Sequence, residues 1–94
     1  MTTKADIVGS IALRLGVEAP KMSTGSTEPR EIFDLVNKVF GLGIDARHTK
    51  PEMAQQIAEA AGMSWNPDYE SRGGTVTKRG LQAVLDAVEL FVGA

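Results

Sequence analysis

The feature that most constrains the fold is a five-residue pattern that occurs twice. Leu-Gly-apolar-acidic-Ala stands at 15–19 and again at 42–46, and a Thr-x-Pro sequence follows each copy, at 27–29 and at 49–51. Each copy also follows a segment with apolar residues at helical spacing. Glycine favours helix ends and Thr-x-Pro favours helix starts. The pattern therefore predicts a helix, an extended loop and another helix, written twice.

Size and composition are those of one globular domain. The 94 residues are 43% apolar and 23% charged, enough for a single modest core over 1–94. Cysteine is absent, which excludes disulfides and thiolate-bound metals. No stretch approaches the ~20 apolar residues of a membrane span, and the first residues do not have the pattern of a secretory signal. We therefore expect a cytoplasmic, bacterial-type protein with no membrane partner.

The first two helices are predicted over 4–15 and from near Thr27 onward. Thr3 and Asp6 form a capping-box pattern before the first helix. In the second helix, Pro29 is expected within the first turn, where a missing N–H breaks no intrahelical bond. Apolar residues at helical spacing make this helix the predicted centre of the core: Ile32, Phe33, Leu35, Val36, Val39 and Phe40.

The last two helices have clear start signals. Thr49 and Glu52 form a second capping box ahead of a helix that should end at Gly62. Thr77 is the predicted N-cap of the fourth helix, which continues through Val92. The predicted fold is a small all-α domain with four helices.

A longer loop over 64–76 separates helices three and four and carries two aromatic residues. Trp65 directly follows a helix end and is expected to cover the core as a lid, whereas Tyr69 is the better candidate for a surface contact. Gly73-Gly74 predicts a tight turn, and two or three residues around Val76 favour a short strand without an independent sheet.

Enzyme chemistry finds little support. His48 is the sole histidine, so a His-pair metal site is excluded and a catalytic triad has one candidate base. Gly73-Gly74 lacks the spacing and the lysine of a phosphate-binding loop. We therefore predict a chain that is not an enzyme and that holds no cofactor or metal.

Basic residues at two predicted helix starts indicate a binding function. Lys50 opens the third helix, and Lys78 and Arg79 open the fourth, where cations oppose the helix macrodipole at a cost of about 0.3–1 kcal/mol each. Such local inconsistencies are enriched at functional sites, and helix starts attract phosphates. Plain solubility is the competing explanation. The predicted nucleic-acid-binding residues are Arg47, Lys50, Arg72, Lys78 and Arg79.

Residues 42–62 resemble the second half of a SAP-type, helix–extended-loop–helix motif, in which a Leu-Gly-apolar loop precedes a helix that opens with Thr-Lys-x-Glu. Members of that group bind DNA, or cover nucleic-acid-processing enzymes, through the loop and the start of the second helix. The matching positions here are 47–50. Thr-Lys-Pro-Glu, Trp65 and the segment 71–77 also resemble a small domain attached to bacterial restriction endonucleases, which implies an accessory DNA-contacting role for 72–79.

Two functions remain open from the sequence. The first is a non-catalytic module that holds the DNA backbone with the five cations on one shared ridge. The second is a protein–protein interaction or scaffolding domain, with a homodimer as one form. It is motivated by the near-neutral net charge of −2 and by Phe91 and Val92, which could extend an apolar face near the end of helix four. If Arg47 and Lys50 lie on the side opposite the other three cations, or if nearby carboxylates neutralise them, the interpretation of this ridge as a polyanion-binding surface fails. The chain is then a helical domain without an assigned function.

Overall fold

A computed structural model describes residues 3–21 and 28–93. These ranges contain four α-helices, one short 3-10 helix (η1) and a two-stranded antiparallel hairpin: α1 Lys4–Leu15, α2 Arg30–Phe40, α3 Lys50–Ala60, η1 Pro67–Tyr69, β1 Glu70–Ser71, β2 Thr75–Val76 and α4 Lys78–Gly93. The predicted small all-α fold is confirmed. None of the helices in these ranges is long and apolar enough to cross a membrane.

The predicted helix starts are confirmed at three of the four helices. At α1 the Asp6 amide donates to Thr3 Oγ1 over 3.2 Å, and the Asp6 carboxylate accepts from the Thr3 amide. Thr49 and Glu52 form the same reciprocal capping box at α3. At α4 the Gly80 amide donates to the Thr77 hydroxyl. The threonine hydroxyls thus accept hydrogen bonds from first-turn amides, which have no carbonyl acceptor within the helix.

The predicted start of α2 is wrong by about three residues. Thr27 lies outside the described residues, and Pro29 is in extended conformation (φ −77°, ψ 140°) just before the helix, which begins at Arg30. Proline fixes φ but is compatible with an extended residue. The extended backbone lets the preceding Glu28 side chain enter the interior. Val39, expected on the core face, is 47% exposed.

The two copies of the repeat end their helices differently. Gly16 (φ +73°) caps α1 directly after its last residue, as predicted. In the second copy α2 ends two residues earlier, at Gly41, so the equivalent Gly43 (φ +72°) is a loop residue. There the Asn37 side chain replaces backbone pairing, because its amide bonds both the N–H and the C=O of Ile44 at 3.0 and 2.9 Å.

The four described helices begin at the same end of the molecule. Beside α1, Ile7 borders the first turn of α4, and Arg14 lies 4.0 Å from Glu89 near the α4 end, so the two helices run in parallel. The rings of Phe40 and Phe91 stack at 4.9 Å where α2 and α4 end. The helices enclose one core, whose largest members are Phe33, Ile7, Ile11, Ile32, Met53, Ile57 and Leu81.

A single buried carboxylate joins the starting ends of the helices. The Glu28 side chain is fully buried. Its Oε2 lies 3.0 Å from Lys4 Nζ on α1, and its Oε1 lies 3.8 Å from Lys50 Nζ on α3. The Val76 amide, two residues before α4, donates to Oε1 over 2.5 Å. Because helix dipoles place partial positive charge at N-termini, a carboxylate here is favourable to all four helices.

The hairpin is fixed against α4 by a glycine that leaves no room for a side chain. A Cβ on Gly80 would lie 2.3 Å from Val76 Cγ1 and 2.7 Å from the Tyr69 carbonyl oxygen. The amide and hydroxyl of Thr77 donate to the same Tyr69 oxygen over 2.9 and 3.1 Å. The hairpin and the first turn of α4 are therefore one rigid unit.

We expect Gly80→Ala to destabilise the protein by about 1–3 kcal/mol, because the added methyl group overpacks a backbone contact. Gly9→Ala in α1 is the matched control, since a Cβ there meets nothing within 4 Å. It should be neutral or stabilising by up to ~1 kcal/mol through helix propensity. Urea unfolding of both variants measures the difference, and equal midpoints would contradict the close packing.

Removing the Glu28 carboxylate should be the costlier change. Glu28→Ala leaves the buried Val76 amide without its acceptor and the Lys4 and Lys50 ammonium groups without their counter-charge. We expect a loss of about 3–5 kcal/mol in the free energy of unfolding. Glu31→Ala, an exposed acid in the first turn of α2, should cost less than about 1 kcal/mol. Chemical denaturation compares the two, and a Glu28→Ala protein as stable as Glu31→Ala rules out the central role.

Candidate nucleic-acid interface

Lys50 is one of the two lysines that contact the buried Glu28 carboxylate. Its ammonium group donates to the Glu28 backbone carbonyl over 3.0 Å as well as lying near the Glu28 carboxylate, and the side chain is 18% exposed. The position of a lysine at the first residue of α3, which opposes the helix dipole, therefore has a structural explanation. Little of this cation is presented to a ligand.

Arg47 is paired within its own loop. Its guanidinium contacts both carboxylate oxygens of Asp45, the shorter distance being 2.8 Å, and its amide donates to the same carboxylate. The side chain is 90% exposed, so solvent screens this pair. The pair nevertheless cancels the charge that the SAP-type resemblance assigns to this loop.

The loop before α3 is shaped by an arginine that sequence reasoning did not single out. The Arg30 guanidinium, at the start of α2, donates to the carbonyls of Ala46 and His48. His48 Nδ1 in turn lies 3.4 Å from a Glu52 oxygen. These contacts connect the loop to the starts of α2 and α3. Its carbonyl groups and the His48 ring are thereby paired within the protein.

The five predicted cations thus separate into two groups. Carboxylates hold Arg47 and Lys50, which removes the five-cation ridge, although α3 and α4 do begin side by side at Glu28. Arg72 lies in the exposed turn of the hairpin, and Lys78 and Arg79 are exposed on the first turn of α4. The Arg79 guanidinium forms no ion pair with any residue in 3–21 or 28–93.

The start of α4 differs electrostatically from the other helix starts. Asp6, Glu31 and Glu52 place an acid in the first turns of α1, α2 and α3, whereas α4 has none. From Ser71 to Gly80 the sequence carries three cations and no acid. Cations and the helix dipole therefore carry the same sign at this helix start.

The two aromatic residues of the long loop lie near the start of α4. Trp65 is partly buried against the core, which confirms its predicted role as a lid. The Tyr69 ring meets the Trp65 ring edge-on, with centroids 5.1 Å apart, and is half-buried. Trp65 Nε1 is buried and has no hydrogen-bond partner within the described ranges. Tyr69 also lines a shallow groove with Arg79.

No protein-family model, curated protein or solved structure matches the chain. Within residues 3–21 and 28–93, no three histidine or acidic side chains gather as a metal site would require. A functional proposal for this chain therefore depends on the geometry of its own residues.

Sequence reasoning did not single out Glu28 and missed its central role. The one available signal was its position two residues before the helix start, beside Pro29, in the repeat position that Lys50 occupies in the second copy. Opposite charges at equivalent repeat positions are compatible with a contact between the two copies. The sequence alone does not indicate that the contact is buried.

Three exposed carboxyls predict how stability depends on pH. The Thr3 amide lowers the pKa of Asp6, the Arg47 guanidinium lowers the pKa of Asp45, and the Thr49 amide lowers the pKa of Glu52. Because a lowered pKa in the folded state adds stability above the unfolded pKa, that stability is lost as the pH falls through the folded value. We expect the urea midpoint to fall as the pH drops below about 4.

Glu52→Gln checks the assignment. The amide keeps an acceptor for Thr49 but no longer titrates, so the variant should lose less stability between pH 7 and about 3 than the wild type. Urea titrations at several pH values measure both slopes. An identical acid sensitivity in the variant contradicts a contribution from Glu52.

Proposed function

We propose that this chain is a small, non-catalytic module that contacts the phosphate backbone of DNA through its basic unit, defined as the segment 71–80 with Arg72, Lys78 and Arg79. The observation that carries the proposal is electrostatic. This segment holds three cations and no acid at the one described helix start that lacks a first-turn acid. Helix N-termini and basic side chains are the groups that position proteins on phosphates.

Rigidity supports the proposal. Thr77 and Gly80 fix the hairpin on α4, so the turn that carries Arg72 and the helix start that carries Lys78 have a set geometry. Groups that are already ordered lose less conformational entropy when they bind. The exposed Gly73 and Gly74 at the tip present backbone without side chains, which permits close approach of a phosphate.

The charge of the whole chain limits the affinity. The net charge is −2, so the field beyond the basic unit does not attract a polyanion. Binding through about three phosphates should be weak, independent of sequence and sensitive to salt, with a slope of about −2.7 in log K against log [salt]. The module would then assist DNA contacts within a larger assembly rather than select a site.

Charge reversal within the basic unit tests the proposal. Arg72→Glu with Lys78→Glu should abolish binding to a fluorescent DNA duplex at low salt, as measured by anisotropy, because the phosphate contacts become repulsive. Arg79 is left unchanged in this experiment. The wild type should show the salt slope given above.

Lys21→Glu with Lys38→Glu is the matched control, since both lysines are exposed and the net charge changes equally. It should retain most of the affinity. Equal losses in the two double variants would show a response to net charge alone. Unchanged binding by the Arg72 and Lys78 variant would remove the proposal.

A further inference from the structure

The outward face of α4 carries a row of side chains with a distinct charge order. Arg79, Gln82, Asp86 and Leu90 recur at intervals of three and four along one stripe, and all four are exposed. We call them the α4 stripe. Shallow grooves of about 190 and 360 Å³ border it, and they share Met63 and Asp86. The stripe and its groove thus form one continuous surface.

The order of charges along α4 is the reverse of the order that its dipole favours. The helix begins with two cations and carries Asp86 and Glu89 in its second half. Acids near a helix start and bases near its end are the favourable order. Elsewhere in the chain a cation at a helix start has an internal partner, as Lys4 and Lys50 have in Glu28. Arg79 has no such ion pair within the described ranges.

Arg79 and Asp86 do not satisfy each other within one helix. Seven residues separate them, about 10.5 Å along the axis. The Asp86 carboxylate accepts a hydrogen bond of 3.0 Å from the neutral Gln82 amide. A cation and an acid on one exposed stripe therefore each have the capacity for a charged partner from outside.

We propose that a second copy of this chain is that partner, with two α4 stripes packed antiparallel about a twofold axis near Gln82. In this arrangement Arg79 of each copy lies opposite Asp86 of the other. The basic start of each helix then faces the acidic half of its mate, and the two dipoles oppose. A parallel arrangement would place like charges together, so the charge order selects the antiparallel one.

The apolar groups of the surface fit the same arrangement. Leu90 is 53% exposed and borders the groove beside Met63. In the antiparallel pair, this end of one groove meets the Tyr69 end of the other. Two leucine side chains would thereby leave water, which adds a favourable term that does not depend on salt.

Complementary charge reversal tests the dimer, with sedimentation equilibrium or light scattering as the readout. The wild type should dimerise at high protein concentration and less so in high salt. Arg79→Glu alone and Asp86→Arg alone should each be monomeric, since each creates two like-charge contacts. An equimolar mixture of the two variants should recover the dimer, because both cross-contacts then join opposite charges.

The mixture distinguishes this interface from other associations. Recovery requires residue 79 to face residue 86 across the interface, so a dimer through another surface does not produce it. Lys38→Glu is the control and should dimerise as the wild type does. A wild type that stays monomeric at all concentrations, or variants that each dimerise unchanged, overturns the inference. It does not rest on DNA binding, whose test leaves Arg79 and Asp86 intact.

Discussion

The fold depends on one buried negative charge where four helices begin. Helices that leave the same end of a molecule bring their positive dipole ends together, and here two lysines add to that charge. Glu28 offsets it, and by accepting from Val76 it also fixes the hairpin that leads into α4. A buried carboxylate is costly to desolvate and is retained only with good partners. Lys4, Lys50 and the Val76 amide are those partners. Their contacts with Glu28 hold the starts of the helices close together.

Local sequence signals predicted the helices. The surroundings of Glu28 and Lys50 depend on a long-range contact that the sequence does not reveal. The capping boxes at Thr3 and Thr49 are interactions over three residues, so their pattern is legible in the sequence. The extended conformation of Pro29 is not, because proline is compatible both with the first turn of a helix and with an extended residue before it. The contact between Glu28 and Lys50 is not legible either, since it joins residues 22 positions apart. The same contact explains Lys50, whose position against the dipole was interpreted as a sign of function. Sequence spacing shows that a charge is unfavourably placed but not what compensates it.

The candidate site was predictable in part for the same reason. The acid-free segment that ends at Gly80 is a property of sequence, and the structure adds that the segment is rigid. The pairing of Arg47 with Asp45 is local enough to have been anticipated, since an acid two residues before an arginine in a loop readily contacts it. The exposed stripe on α4 required the fold, because only the packing shows which helix faces remain uncovered.

The two proposals divide the cations of α4 between two different partners. Lys78 and Arg79 follow each other in sequence, so they project about 100° apart around the helix axis. Arg79 belongs to the stripe with Asp86, and both cations also border Ile7 of α1 in one groove. In the proposed pair Arg79 faces Asp86 of the other copy, so Arg72 and Lys78 are the cations that the DNA proposal retains. If both proposals hold, each copy contributes Arg72 and Lys78 to contacts with one polyanion, and linked contacts bind more tightly than either does alone. The proposed antiparallel pair would thus double a contact that we expect to be weak for one chain of net charge −2.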